Sequence, residues 1–134
     1  MFAYLIREFG SQNKVRYSKN AGESEVLCYQ IMNYIDSHIY TMKNLRELSN
    51  ATNYTYNYLS NLYKKVTSDT LTNYFRNRRL ETARLLLLEG VMSVTKISSL
   101  LNYSSVYIFS RAFKERYGVP PSELKKKRDN AAPV

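Results

Sequence analysis

The feature of this sequence that most constrains its fold is an internal repeat. Leu48, Ser49, Asn53, Tyr54 and Thr55 match Ile97, Ser98, Asn102, Tyr103 and Ser104 at an offset of 49 residues. From Leu59 onward the offset is 50, so we place one extra residue at the start of the second helix of the second copy. A fold that accommodates this pattern must contain two similar substructures.

The second copy has the pattern of two short helices joined by a tight turn. Ser93 is placed to act as an N-cap, and apolar residues follow it at helical spacing to about Leu101. Asn102 tolerates the left-handed backbone that such a turn needs, and we expect Ser104 to cap the next helix. The second helix should end at Gly118, and its inward face should carry Phe109, Ala112, Phe113 and Tyr117.

The first copy repeats this arrangement. Asn44 and Glu47 suggest a capping box for a helix over Leu45–Ala51, and Thr55 starts the second helix. Its inward stripe is Leu59, Leu62, Tyr63 and Val66, and its outward face carries Asn57, Ser60, Asn61 and Lys64. That face has two interpretations: ordinary solvation, or side chains that hydrogen-bond base edges.

On these residues the sequence resembles the DNA-binding domain of AraC-type transcription regulators, from about Ser24 to Lys127. The family usually has Ala at Ser49 and Ser98, Gly at Ser68 and Asn102, and Phe at Tyr103. The resemblance implies an all-α fold of about seven helices, with two tandem helix-turn-helix units joined by a long linker helix. It also implies sequence-specific binding to double-stranded DNA, with recognition helices of about 55–66 and 104–116 in adjacent major grooves.

A helix from about Thr70 to Leu88 would form this linker, with Leu71, Tyr74, Phe75, Ala83, Leu86 and Leu87 along one stripe. Nineteen residues span roughly 28 Å, comparable with the roughly 34 Å between major-groove faces on one side of a duplex. Arg76, Arg78, Arg79 and Arg84 could contact phosphate or bridge the subdomains. The resemblance implies structural roles for Arg79, Ala83, Asn102, Gly118 and Pro121. The role implied for Arg79 is ion pairing.

The candidate DNA contacts fall into two chemical groups. The base-reading candidates lie on the outward faces and carry amide, hydroxyl, guanidinium or apolar groups. They are Asn57, Ser60, Asn61, Val106, Tyr107, Ser110 and Arg111. The phosphate candidates are Lys64, Lys65, Arg76, Lys114 and Lys125. The basic run from Lys125 to Arg128 has two equal interpretations, a solvated chain end and a phosphate contact.

The chain ends are less regular. Residues 1–23 are interpreted as a short helix, Phe2–Phe9, followed by a linker. Residues 24–128 are interpreted as the DNA-binding domain, whose first helix is capped by Ser24. Residues 129–134 are interpreted as a flexible tail. The inward stripe of that first helix should contain Leu27, Ile31, Tyr34, Ile35 and His38. We expect a fragment of a longer regulator, monomeric alone although the longer protein is a candidate homodimer, that binds DNA without an effector.

Composition supports a polyanionic partner. Twenty Lys and Arg against eleven Asp and Glu give a net charge of +9. One cysteine, Cys28, excludes an internal disulfide and suits a buried thiol in a reducing compartment. We found no membrane segment and expect a cytoplasmic, nucleoid-associated protein.

Three other functions were considered. No motif for catalysis, cofactor or metal binding is present, and His38, the only histidine, is expected to be structural, so an enzyme is disfavoured. The thirteen tyrosines suggest a second function, in which their rings stack on the bases of single-stranded nucleic acid. Most of them, however, lie on inward stripes. The main alternative is a helical protein-interaction module with a basic surface, RNA polymerase being one candidate partner.

Overall fold

The structure, a computed structural model, describes residues 19–131. Within that range the chain forms seven helices and no strand, which confirms the predicted all-α class. The helices are α1 Lys19–Ser37, α2 Glu47–Thr52, α3 Tyr56–Thr67, α4 Leu71–Glu89, α5 Val94–Leu100, α6 Val106–Tyr117 and α7 Pro121–Ala131. The predicted helix Phe2–Phe9 lies outside the described residues.

The first helix begins earlier than predicted. Ser24 lies within α1 rather than capping it, and residues 19–23, which were assigned to the linker region, are helical. Ile31 and Ile35 of the predicted stripe are buried, together with Cys28, whereas Leu27, Tyr34 and His38 are half-buried. A residue that can cap a helix therefore does not have to mark its start.

The start of α2 corrects the predicted capping box. The Asn44 side chain accepts a hydrogen bond from the Arg46 amide at 2.9 Å, and the Glu47 carboxylate accepts from the Lys43 amide at 3.0 Å. The two side chains therefore accept hydrogen bonds from backbone amides of the preceding turn, and they do not form the reciprocal pair of a capping box. Since residues 45 and 46 belong to that turn, the helix covers Glu47–Thr52 instead of Leu45–Ala51.

The helix-turn-helix pattern is confirmed in both copies, with one correction. Thr55 caps α3 as predicted, its hydroxyl accepting from the Tyr58 amide at 3.1 Å. In the second copy the cap is Ser105, not Ser104, and it accepts from the Ile108 amide at the same distance. The caps are thus 50 residues apart while the left-handed Asn53 and Asn102 are 49 apart. The extra residue therefore lies in the turn, not in the helix.

The described part of the chain divides into two compact units, the first ending at Phe75 and the second beginning at Arg76. In the first, α1 packs against α3, and the Tyr74 hydroxyl donates to the Asp36 carboxylate at 2.9 Å. In the second, α6 packs against both α5 and α7. The buried residues of the second unit include Leu80, Ala83, Leu87, Ile97, Leu101, Phe109 and Phe113.

The long helix α4 has nearly the predicted bounds. Thr70 caps it by accepting from the Asn73 amide at 3.0 Å, and Gly90 ends it with a φ of 76°. Leu80, which the predicted stripe omitted, is fully buried. The last helix, α7, reaches Ala131, within the stretch that was interpreted as a flexible tail. Pro121 starts it, at the first helical position where a missing amide hydrogen costs nothing.

Two positions where the resembling family carries glycine have a left-handed backbone. Ser68 has a φ of 64° and Asn102 a φ of 66°. Asn adopts this conformation more readily than Ser because its short carboxamide can hydrogen-bond locally. Ser68 therefore carries strain that glycine would remove.

Replacing Ser68 with glycine should raise the free energy of unfolding by about 0.5–1 kcal/mol, because the relief of left-handed strain exceeds the flexibility gained by the unfolded chain. Urea unfolding followed by circular dichroism measures the change. Asn53→Gly is the matched control, since Asn53 has a φ of 67°, and its effect should be close to zero. Equal effects of the two substitutions would contradict the assignment of strain to Ser68.

Candidate nucleic-acid interface

The outward face of α3 presents three of the predicted contact groups to solvent. Asn57 and Asn61 are exposed, and Ser60 is half-buried between them, while Leu59 and Tyr63 are buried on the opposite side. The carboxamides of both asparagines are without hydrogen-bond partners among the described residues. The face is thus a row of free polar groups on one side of a helix whose other side is fixed in the core.

The corresponding face of α6 is less polar. Val106, Tyr107 and Arg111 are exposed, with Tyr107 at 77%, and Ser110 is half-buried. Phe109 and Phe113 anchor the helix from the inside, their ring centroids 5.8 Å apart. The predicted base-reading residues of each copy therefore share one face of their own helix.

The described arginines of the second unit have different partners. Arg78 and Arg116 both form ion pairs with Glu81, at 2.7 and 3.5 Å. Arg84 lies over the ring of Tyr117, 5.9 Å from its centroid. Arg111, by contrast, forms no hydrogen bond or ion pair within the described part of the chain. Its guanidinium remains available for an external partner.

Arg111 also shares a cleft with a second arginine. Arg76, Ile108, Ala112 and Glu115 complete the lining of this cleft, which has a volume of about 230 Å³. The structure thereby brings together one predicted base reader and one predicted phosphate contact. The other phosphate candidates Lys64, Lys65 and Lys114 are exposed, and Lys125 is half-buried.

Arg79 has a different environment, which bears on its predicted ion pair. Its guanidinium lies over the ring of Tyr103, 5.0 Å from the centroid. Burial lowers the pKa of Arg79 and raises the pKa of Tyr103. The Tyr103 hydroxyl makes no hydrogen bond of good geometry with a described residue, but its attraction to the nearby guanidinium opposes part of both pKa shifts. The contact that the structure shows for Arg79 is therefore a cation–π contact; the ion pair stays a prediction.

Two further exposed residues lie on the same faces and were not among the predicted contacts. Tyr58 is 48% exposed and Ile108 is 50% exposed, and they occupy equivalent positions in the two copies at the offset of 50. Arg46, whose guanidinium lies 5.5 Å from the Tyr56 ring centroid, shares a cleft with Asn57 at the start of α3. The repeat was the signal that could have identified Tyr58 and Ile108, because each lies one residue before a buried position.

Other kinds of site find little support in the described residues. Across residues 19–131, no group of three or more His, Cys, Asp or Glu side chains is placed to hold a metal ion. None of the described helices is long and apolar enough to cross a membrane. Cys28 is buried as expected, and burial raises the pKa of its thiol to about 11. A thiol with that pKa is almost wholly protonated at neutral pH.

Two helix-turn-helix units with exposed second helices define the fold of a double helix-turn-helix DNA-binding domain. The described architecture is similar to that of an AraC-type transcriptional regulator from Chromobacterium violaceum, with a TM-score of 0.70 over 82% of this chain and 98% of that one. At 19% identity this likeness concerns the fold alone.

Sequence comparisons identify the family. The model of a helix-turn-helix domain matches residues 48–127. The chain is 32% identical over 92 residues to the regulatory protein SoxS of Escherichia coli, covering 69% of this chain and 86% of SoxS. It is 31% identical over 107 residues to the HTH-type transcriptional regulator YobQ of Bacillus subtilis, covering 80% of this chain and 44% of YobQ. The chain belongs to the AraC-type family of helix-turn-helix transcription regulators. It spans less than half the length of YobQ and of other regulators that it matches.

Replacing Tyr103 with leucine should lower the free energy of unfolding by about 1–2 kcal/mol, because a partly buried guanidinium loses the ring that stabilises it. Tyr103→Phe is the matched control. It keeps the ring and removes only a hydroxyl without a hydrogen-bond partner, so its effect should stay within about 0.5 kcal/mol. Both are measured by urea unfolding; if the phenylalanine variant were as unstable as the leucine variant, the hydroxyl and not the ring would be the important group.

Proposed function

We propose that this domain binds double-stranded DNA in a sequence-specific manner, with α3 and α6 as the recognition helices of adjacent major grooves. The observation that carries this proposal is that Asn57, Asn61 and Arg111 lie on exposed helix faces and that their side chains form no hydrogen bond with any described residue. Elsewhere in the second unit, Arg78 and Arg116 are engaged by Glu81. Polar groups left without partners on the faces of second helices suit an external hydrogen-bonding partner.

The chemistry of these groups matches base edges. The rigid fork of Arg111 can donate two hydrogen bonds to guanine O6 and N7, which a lysine ammonium cannot reproduce. The carboxamides of Asn57 and Asn61 can pair with adenine N6 and N7. Val106 and the newly identified Ile108 offer apolar contact to thymine methyl groups.

The lysines serve a different purpose in this proposal. Lys64, Lys65 and Lys114 are exposed point charges that would neutralise phosphates and supply affinity independent of sequence. The net charge of +9 agrees with that role. Arg76 and Lys125 complete the proposed phosphate set.

The role of the whole protein extends this proposal. Because the chain matches less than half of several relatives, we propose that it is the DNA-binding portion of a longer, non-enzymatic regulator that acts on the bacterial nucleoid. The isolated domain is expected to be monomeric. The basic surface also favours contact with RNA polymerase, in place of or in addition to DNA.

Selection of bound duplexes from a random pool tests the central proposal. An enriched site made of two half-elements about one helical turn apart is the expected result. Failure to enrich any sequence, combined with binding to an acidic protein partner, would instead favour the protein-interaction module.

Substitution of Arg111 separates base reading from phosphate contact. Arg111→Ala should weaken binding to the preferred site by roughly 1–3 kcal/mol and relax discrimination at about one base pair, with much less effect on random duplex. Arg111→Lys, which keeps the charge and loses the fork, should show the same loss of discrimination. Titrations against preferred and scrambled duplex at several salt concentrations measure both quantities.

Two controls accompany this comparison. Lys114→Ala should weaken binding to both duplexes and lower the salt slope by about one unit if that lysine contacts phosphate. Arg116→Ala removes the same charge as Arg111→Ala from the same helix, but its guanidinium is paired with Glu81, so discrimination should be unchanged. Were Arg111→Ala to weaken both duplexes equally, Arg111 would be a phosphate contact.

A further inference from the structure

A cavity of about 400 Å³ lies in the first unit, on the side of α1 that faces α2 and the turn before α3. Pockets for small ligands in proteins commonly have volumes of roughly 300–1,000 Å³. Three aromatic rings contribute to its walls, those of Tyr34, His38 and Tyr54. None of the described side chains that line it carries an acidic or a lysine or arginine charge, so this part of the cavity suits an uncharged molecule.

A nearly buried polar side chain in this cavity has no hydrogen-bond partner among the described residues. Asn33 is 4% exposed and lines the cavity. Its backbone carbonyl accepts the Ser37 hydroxyl at 2.8 Å, but its carboxamide forms no hydrogen bond with any described residue. The carboxamide atoms are not themselves fully enclosed, so water in the cavity can hydrogen-bond them. A ligand in the cavity can replace that water and form the same hydrogen bonds.

The aromatic rings offer flat surfaces beside that amide. Tyr34 and His38 are stacked, with centroids 4.0 Å apart and planes 15° from parallel. The His38 Nδ1 lies 2.9 Å from the Tyr34 carbonyl, which can only accept, so Nδ1 donates and the ring is held in place. Gln30, one helical turn before Asn33, places a second carboxamide in the lining.

These features together specify a class of ligand. We infer that the cavity binds a neutral, planar heterocycle with adjacent hydrogen-bond donor and acceptor groups, of the adenine type. An asparagine carboxamide pairs with N6 and N7 of adenine through two hydrogen bonds. Aromatic side chains stack on the faces of such rings.

The site is distinct from the proposed DNA-reading groups. None of the residues that line it is among the predicted base or phosphate contacts. It nevertheless reaches the start of a recognition helix, because Tyr54 stacks on Tyr58 of α3 with centroids 4.9 Å apart. The inference does not depend on the proposed function, since ligand binding is measured without DNA.

The chain contains a built-in reporter for this site. His38 is the only histidine, so its ring protons give resonances that need no further assignment in a proton NMR spectrum. Titration of the complete chain with adenine at neutral pH should shift them saturably, with a submillimolar dissociation constant. Indole, which is planar but lacks the paired donor and acceptor, should bind at least about tenfold more weakly, as expected for the loss of one bidentate contact.

Two variants test the residues involved. Asn33→Leu should weaken adenine binding about tenfold or more. Ala51→Leu, at an exposed helical position in the lining, should block the cavity without disturbing the core and serves if Asn33→Leu fails to fold. Asn50→Leu, which alters an exposed neighbour outside the lining, is the matched control and should bind adenine as the original protein does.

Three results would overturn the inference. The first is no shift of the His38 resonances at the solubility limit of adenine. The second is equal affinity for indole and adenine, which would mean a nonspecific apolar cleft. The third is undiminished adenine binding by both Asn33→Leu and Ala51→Leu, which would place the ligand elsewhere.

Discussion

Each helix-turn-helix unit depends on one residue that adopts a left-handed backbone between its two helices. Asn53 and Asn102 have φ values of 67° and 66°, a conformation that most L-residues avoid because the Cβ approaches the following carbonyl. The amides at the two turns bond back to the preceding helix, that of Asn53 to the Ser49 carbonyl at 3.2 Å and that of Tyr103 to the Ser98 carbonyl at 3.0 Å. The turn therefore ends the first helix and directs the chain into the second, whose outward face becomes the candidate DNA surface.

The second constraint is that α4 contributes buried residues on both sides of the division between the units. Leu71 and Phe75 lie in the part that belongs to the first unit, and Leu80, Ala83 and Leu87 in the part that belongs to the second. Leu71 matches Pro121, since both are buried at the start of the helix that follows a recognition helix, 50 residues apart. Beyond this point the copies differ: Phe75 is buried, whereas Lys125 occupies the equivalent place in α7.

The sequence predicted those features that rest on strong local signals. The caps Thr55 and Ser93, the left-handed Asn102 and the helix end at Gly118 were all correct. Errors occurred where two similar residues competed, as with Ser104 and Ser105, because sequence alignment of a repeat cannot place an insertion within a short turn. The early start of α1 was missed because Ser24 resembles a cap but lies inside the helix.

The candidate site was predictable in part, for a related reason. A helical period separates inward from outward positions, so the exposure of Asn57, Asn61 and Arg111 followed from the buried stripes. The period does not show which outward groups are already engaged. That Arg116 is paired with Glu81, and that Arg79 lies over Tyr103, are contacts between distant parts of the chain.

The two recognition faces differ in chemistry, and this difference bears on how the proposed site would be read. At equivalent positions, Asn57 corresponds to Tyr107, Tyr58 to Ile108 and Asn61 to Arg111. Carboxamides pair best with adenine, a guanidinium pairs best with guanine, and an apolar side chain such as Ile108 favours a thymine methyl group. The repeat therefore preserves the scaffold while its exposed positions diverge. In the proposed function, two recognition helices with unlike faces would read an asymmetric site, and such a site would fix the orientation of the chain on DNA.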